Sequence, residues 1–355
     1  MTNDHSKLTI DHFITQMMLL LRQSEENNFD HIRFSASPEK EHSFDVNYHR
    51  SHLYFLLNNF QYVSAVHDIF KDEASRSLYR DIIEYRLVGH LHKRLPTNTP
   101  KYHAATSRAQ NLESAPSIFN SRVQRSALSL PLETVSVPFQ GRTLQVDCWK
   151  LGCRDTFFLG QYNFERDGVR IAPEPGNYFI DGGTFYGDTA VRMAAQVGVS
   201  GYVYCFDPMD FHCEIADHNL RANAAGSAPS KIFRCGIADV DNVGTAFAES
   251  SLTPGYRLKP GIATRSIDSL AKQGEIERID FIKLDVEGSE MAALRGAAQS
   301  LARFRPKLAI SLYHNPQDIF EIPLHLHKTL PGYEFYLDHY SIHAEETVLY
   351  ARPIA

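Results

Sequence analysis

Apolar residues recur at three- and four-residue steps through the first quarter of the chain. In DEASRSLYRDIIEYRLVGHL, Leu78, Ile82 and Tyr85 share one face with charges around them, and HLYFLLNNFQYVSAVHDIF has the same rhythm, so residues 1 to about 95 read as amphipathic helices. The stretch RLPTNTPKYHAATSRAQNLESAPSI (94–118) is rich in Pro, Ser, Thr and Asn without apolar periodicity, and predicts a linker or long loop. LETVSVPFQGRTLQVDCWKLG then alternates about Gln140-Gly141, as a β-hairpin does. From about residue 176 the texture changes to short β-rich runs: NYFID, GYVYCFD, SKIFRCGIAD, IDFIKLD, KLAISLYH, YEFYLDHY and ETVLYAR. Helix-forming segments such as TAVRMAAQVG, FHCEIADHNLRANA and SEMAALRGAAQSLARF separate the earlier runs. That alternation predicts an α/β doubly wound, mostly parallel sheet covered on both faces. Only LDHYSIHAE separates YEFY from TVLYA, too little for a parallel crossover, so the last two strands should form an antiparallel hairpin. The chain thus divides into an N-terminal helical region with its linker (1–118), a hairpin and lead-in (119–175) and a main domain (176–355).

Composition changes this picture little. With 43% hydrophobic and 22% charged residues among 355, the chain is an ordinary globular one with room for a large core. A formal net charge of −6 argues against general affinity for nucleic acid and favours a small-molecule partner. Cys148, Cys153, Cys205, Cys213 and Cys235 contain no C-x-x-C pair, and reduced thiols in a cytoplasmic protein are expected. The apolar run FITQMMLLL is preceded by acidic and polar residues and is too short for a bilayer span of ~20 residues, so no membrane partner is expected.

Candidate chemistry lies in NYFIDGGTFYGDTA. Glycines 182, 183 and 187 follow a strand and precede a helix, which lets the backbone approach a ligand and aims helix N–H groups at it. Successive strand-like runs end in acids: Asp181, Asp207, Asp239 and Asp285. Ligands of doubly wound sheets sit at that edge. Asp207 lies 24 residues beyond Gly183, near the ~20 expected of an acid that bonds ribose hydroxyls. A ribose occurs in both NAD and S-adenosylmethionine. Asp181, ahead of the glycines, separates the two, because a carboxylate there suits an ammonium and repels a pyrophosphate. No tyrosine has a lysine four residues on, as a short-chain redox enzyme would need, and no P-loop is present.

FIDGGTFYGDTA, YCFDP with HNLRAN, IDFIKLDVEGSEMAALRGA and RPKLAISLYH resemble, in order and spacing, the FkbM-type S-adenosylmethionine-dependent methyltransferases over roughly residues 160–350. The resemblance implies a seven-stranded class I methyltransferase (Rossmann-like) sheet with an antiparallel C-terminal strand. It also implies S-adenosyl-L-methionine as cofactor, and O-methylation of a hydroxyl on a sugar, polyketide or similar small metabolite. Carried over by motif, the cofactor positions are Asp181, Gly182, Gly183, Thr184 and Phe185 in the turn, then Asp207, Pro208, Asp239 and Asp285. Asp181 and Gly183 would meet the methionine part, Asp207 the ribose, Asp239 the adenine, and Asp285 the reacting methyl. Phe185 and Tyr186 depart from the small residues of many such turns. An NAD-dependent oxidoreductase or epimerase, or a degenerate methyltransferase fold used as a binding module, are the alternatives.

An alcohol nucleophile must lose its proton as it attacks. His314, just past the KLAISLY strand, and Asp285 are the candidate catalytic residues, while Glu287 and Glu290 read as complements to a helix N-terminus. No metal is expected: Asp285 and Asp318 supply two carboxylates without a third ligand, Mg²⁺ staying the alternative, and His325, His327, His339 and His343 read as incidental. The helical leader has apolar faces that would suit either a cover for the site or a homodimer interface.

Overall fold

The computed structural model describes residues 8–34, 41, 46–120, 131–242, 247–249, 256–258 and 262–354. Its centre is a seven-stranded sheet: β1 (Tyr178–Gly182), β2 (Tyr202–Phe206), β3 (Ser230–Phe233), β4 (Phe281–Leu284), β5 (Lys307–Ser311), β6 (Tyr333–His339) and β7 (Thr347–Pro353). The spatial order is β3-β2-β1-β4-β5-β7-β6. Strands β1 to β5 are parallel, and β7 runs antiparallel to both β5 and β6. Each corresponds to one of the β-rich runs, and the last two form the expected hairpin. The chain enters the sheet at β1, moves outward to β3 and returns on the other side of β1 at β4, so strand order reverses between β1 and β4, the place where sheets of this kind bind ligands.

Alternate side chains feed two layers. Ile180, Ile282, Leu308 and Ile310 pack into a core shared with the N-terminal helices α1 (Ile10–Leu20), α2 (Val46–Ile69) and α3 (Glu73–Val88). Leu78, Ile82 and Tyr85, the predicted inner face of α3, are all buried. The leader is joined to the sheet through its backbone as well: Lys71 N–H donates to the Phe335 carbonyl of β6 at 2.9 Å.

One segment departs from expectation. The stretch read as a linker contains helix α4 (Pro100–Gln110), whose Thr99 hydroxyl accepts from the Tyr102 N–H and whose first turn carries Pro100. It buries Tyr102, Ala105, Thr106 and Ala109. Small residues on one face suffice for close packing, and hydropathy alone does not register them.

On the opposite layer, Phe179, Val203, Phe281 and Ala309 meet the β-hairpin and α5 (Asp188–Val197). The hairpin pairs Glu133–Phe139 with Arg142–Cys148 about Gln140 and Gly141. Both have positive φ (48° and 78°), as a two-residue turn matching strand twist requires. Helix α6 (Asp210–Ala222) follows β2, and α7 (Glu290–Arg295) with α8 (Ala298–Phe304) follow β4, separated at Gly296. Helix α9 (Asp318–Thr329) follows β5. No described helix is long and apolar enough to cross a membrane.

Candidate active site

At the carboxyl ends of β1 and β4 the backbone itself forms the first part of the site. Gly183 has φ +80°, and a Cβ there would lie 1.8 Å from the Asp285 carbonyl oxygen, so only glycine lets the two strand ends approach this closely. Gly183 and Thr184 N–H both donate to the Phe206 carbonyl, at 2.9 and 3.0 Å. The Thr184 hydroxyl donates to the Asp181 carbonyl and accepts from Phe206 N–H, both at 3.0 Å. Thr184 is therefore spent on joining β1 to β2.

Asp181 is wholly buried, and the strand register sets Lys283 of β4 directly beside it. The Lys283 ammonium stands 2.9 Å from Asp181 Oδ1 and donates to the Gly183 carbonyl at 2.7 Å. Burial pushes the Lys283 pKa down, but Asp181 and Asp285 together outweigh it and hold the ammonium charged. The sequence reading gave Asp181 to a ligand ammonium; in the structure a lysine of the chain's own already fills that role. Only the register of two strands distant in sequence reveals this.

Asp207 closes the next position. Its Oδ2 accepts from Phe185 N–H at 3.0 Å, and its Oδ1 from Met209 N–H at 2.9 Å with His212 Nδ1 at 3.1 Å. A carboxylate has about four lone-pair sites, so capacity remains for one further donor such as a ribose hydroxyl. Pro208, half-buried, carries the chain from Asp207 toward α6. Phe185 adopts φ +51°, and its ring stacks on Tyr186 at 3.8 Å between centroids. The pair packs against Trp149 and His212, with centroids 5.2 Å (Phe185–Trp149) and 4.6 Å (Phe185–His212) apart. The unusual aromatics thus dock the segment after the hairpin onto the glycine turn.

Asp239 is not where the sequence reading put it. Strand β3 ends at Phe233, and Gly236–Ile237 pairs with Thr264–Arg265 outside the main sheet. Asp239 follows that pair as an exposed loop residue rather than a strand-end acid. One unbroken run of β-forming residues concealed the change of sheet.

Around Asp285 the fold gathers groups from several elements. Tyr162 and Tyr313 hydroxyls donate to its Oδ2 and Oδ1, each at 2.8 Å. His314 Nε2 lies 3.4 Å from Asp285 Oδ1 and 3.5 Å from Glu287 Oε2, while Nδ1 is 2.7 Å from Glu290 Oε1. Burial would lower the His314 pKa, but Glu290, Asp285 and Glu287 outweigh it and push it up to about 10. Burial would raise that of Asp285, but Lys283 and His314, with both tyrosines, hold it below the usual range. Glu287 is pushed up to about 7 by burial, with Asp285 and Glu290 adding and His314 opposing. Glu287 also has φ +53°, an uncommon conformation that collects at functional sites. Glu290 does accept from Val286 N–H at 2.8 Å, as a helix-start acid should. Asp318 accepts from the Asn315 backbone at 2.8 Å and from its side-chain amide at 3.0 Å, and burial together with the nearby Glu290 pushes its pKa up to about 6. His339, the last residue of β6, and His343 in the turn that follows are both buried, with His339 Nε2 on the His343 carbonyl at 2.8 Å.

Residues 178–337 match the family model described as the methyltransferase FkbM domain. These residues form an FkbM methyltransferase domain. Among solved structures, the chain is similar to methyltransferase FkbM from Methylobacillus flagellatus KT, at 18% identity and a TM-score of 0.49, covering 84% of this chain and 60% of that one. It thus spans only about three-fifths of that protein's length. Aeropyrum pernix fibrillarin with bound S-adenosyl-L-methionine matches at 13% identity and a TM-score of 0.33, over 62% of this chain and 93% of that one. The O-methyltransferase from Bacillus cereus in complex with SAH matches at 14% and 0.32, over 50% and 74%. Among curated protein sequences none matches this chain.

Within the FkbM domain, the sequence reading anticipated Asp285 and His314 at one edge, and the fold places them together. It did not anticipate Lys283, Tyr162 or Tyr313 as their partners. Tyr162 comes from the lead-in ahead of β1, and no local pattern connects it to a residue 123 positions later.

Proposed function

We propose that the protein transfers a methyl group from S-adenosyl-L-methionine to a hydroxyl oxygen of a small acceptor, such as a sugar or polyketide. The observation that carries this reading is the cluster at the ends of β4 and β5. Asp285 is oriented by two phenols and lies beside His314 and Glu287, with its own carbonyl against the Gly183 backbone of the glycine turn.

Bound at this turn, the cofactor would supply an electrophilic methyl carbon on a positively charged sulfur. The chain's residues suit such a ligand. Asp207 retains room for a ribose hydroxyl, and Asp285, Glu287 and Glu290 outnumber the cation His314 among them, which favours positive charge and opposes a pyrophosphate. This disfavours NAD.

In the proposed step the acceptor oxygen forms a bond to the methyl carbon, the carbon–sulfur bond breaks with its electron pair passing to sulfur, and the hydroxyl proton leaves to a base. His314, held protonated by three carboxylates, is poorly placed to receive it in this arrangement. Glu287 is the most solvent-exposed of the three carboxylates, at 37% against 24% for Asp285 and 0% for Glu290, and is the proposed acceptor of that proton. Asp285 orients the hydroxyl, and alignment of the reacting atoms can lower the barrier by about 7–11 kcal/mol.

Isothermal titration with S-adenosylhomocysteine tests the reading, followed by mass spectrometry of a hydroxyl-acceptor panel incubated with S-adenosylmethionine. Saturable binding and a methylated product are expected. No heat of binding at millimolar ligand would sink it, and binding without methylation of any acceptor would favour the binding-module alternative.

A further inference from the structure

We infer that Asp285, Glu290 and His314 form a binding site for one divalent transition-metal ion, of the Mn²⁺ or Zn²⁺ kind. The inference deepens the methyl-transfer reading at the same strand edge, but its test is metal binding, which stands apart from turnover.

The sequence offered two carboxylates and no third ligand. Folding changes that, because the carboxylate oxygens and imidazole nitrogen of Asp285, Glu290 and His314 all come within 4.8 Å of one another. Ligand atoms each ~2.0–2.2 Å from a metal stand roughly 3 to 4 Å apart, so side-chain adjustments of about 1 Å close the site. Glu290 sits in the first turn of α7, Asp285 directly follows β4, and His314 lies three residues past β5. Tyr162 and Tyr313 fix the Asp285 carboxylate from two sides.

A second observation points to a missing cation. Glu290 is wholly buried, and while its Oε1 bonds Val286 N–H and faces His314 Nδ1, its Oε2 has no hydrogen-bond partner. A buried oxygen without a partner costs about 1–3 kcal/mol, more when charged, and a bound cation would remove that cost. Glu287 Oε2, 3.5 Å from His314 Nε2, lies outside this group of three and adds negative charge beside it. A bound ion would displace the proton His314 otherwise carries, because only the neutral imidazole can ligate, and the donor set decides the kind of ion: imidazole with carboxylates suits Mn²⁺ or Zn²⁺, whereas Mg²⁺ prefers an all-oxygen shell. An ion here would lie beside the proposed acceptor hydroxyl, where a Lewis acid makes an alcohol easier to deprotonate.

The test uses the full chain freed of metal by chelation and dialysis. Titration with MnCl₂, followed by the electron paramagnetic resonance signal of free Mn²⁺, should show one ion bound per chain, displaced by ZnCl₂ and only weakly by MgCl₂. His314→Ala and Glu290→Gln should each weaken binding ~10-fold or more. Should either variant fold poorly by circular dichroism, pulsed-resonance detection of a ¹⁴N coupling to Mn²⁺ bound to the unaltered protein replaces it, since only the imidazole can give that coupling. No binding at millimolar Mn²⁺ and Zn²⁺, binding unaffected by both substitutions in folded variants, or bound Mn²⁺ without nitrogen coupling would each overturn the site. A parallel titration of the metal-free protein with S-adenosylhomocysteine separates the two readings: if that ligand binds and neither metal does, the metal site falls and methyl transfer stands.

Discussion

Replacing Lys283 with methionine should be among the most damaging single changes in the sheet. The side chain is 3% exposed and its ammonium lies 2.9 Å from the carboxylate of Asp181, which is 0% exposed. At that separation the attraction is on the order of 6 kcal/mol for an effective dielectric constant of about 20. Much of it offsets the desolvation of both groups, so removing one partner, which strands the other charge, should cost about 3–5 kcal/mol. Protonation of Asp181 sets a ceiling, because neutralising an ordinary carboxyl at pH 7 takes about 4 kcal/mol. The sign of the pH dependence follows. Protonation becomes easier as pH falls, so the penalty of Lys283→Met should shrink by up to about 1.4 kcal/mol per pH unit below 7. Asp181→Asn with Lys283→Met should recover much of the loss, as no charge is then stranded. Urea denaturation followed by circular dichroism, at pH 7 and pH 6, measures all of this. A single-mutant cost under about 1 kcal/mol, or losses that add in the double variant, would refute the buried-pair argument.

Three further outcomes are expected. Asp207→Ala removes the acceptor for Phe185 and Met209 N–H groups, and should weaken S-adenosylhomocysteine binding by about 1–3 kcal/mol in a calorimetric titration; unchanged affinity would remove Asp207 from the site. Gly183→Ala places a Cβ 1.8 Å from the Asp285 carbonyl in a left-handed conformation, and should abolish soluble expression or lower the melting temperature sharply; a near-parental melting curve would contradict the described strand-end contact. Burial pushes the His339 pKa down to about 3, below its unfolded value of about 6.5, so the unfolded chain takes up a proton first and this contribution to stability is lost as pH falls from 6.5 toward 3. His339→Gln should therefore flatten the acid limb of the stability curve, and a variant with the parental slope between pH 6.5 and 5 would count against it.

The strand runs, their order of appearance and the C-terminal hairpin were legible in the sequence, because side-chain alternation and connection length act locally. The glycine turn was legible for the same reason: the backbone at Gly183 needs a residue without Cβ, and a strand, a glycine and a helix in succession announce it. The acids Asp207 and Asp285 could be placed at the ligand edge because each ends a run that becomes a strand of the main sheet. Asp239 could not, since local β propensity does not say which sheet a segment joins. Helix α4 was hidden because its packing depends on small residues meeting a surface formed elsewhere. Tertiary structure alone decided the partners: register paired Lys283 with Asp181, the lead-in delivered Tyr162 to Asp285, and parallel β4 and β5 brought Glu287 and Glu290 to His314. The charge state and affinity of an ionisable group depend on neighbours within a few ångströms, and those neighbours are set by packing between segments far apart in the chain.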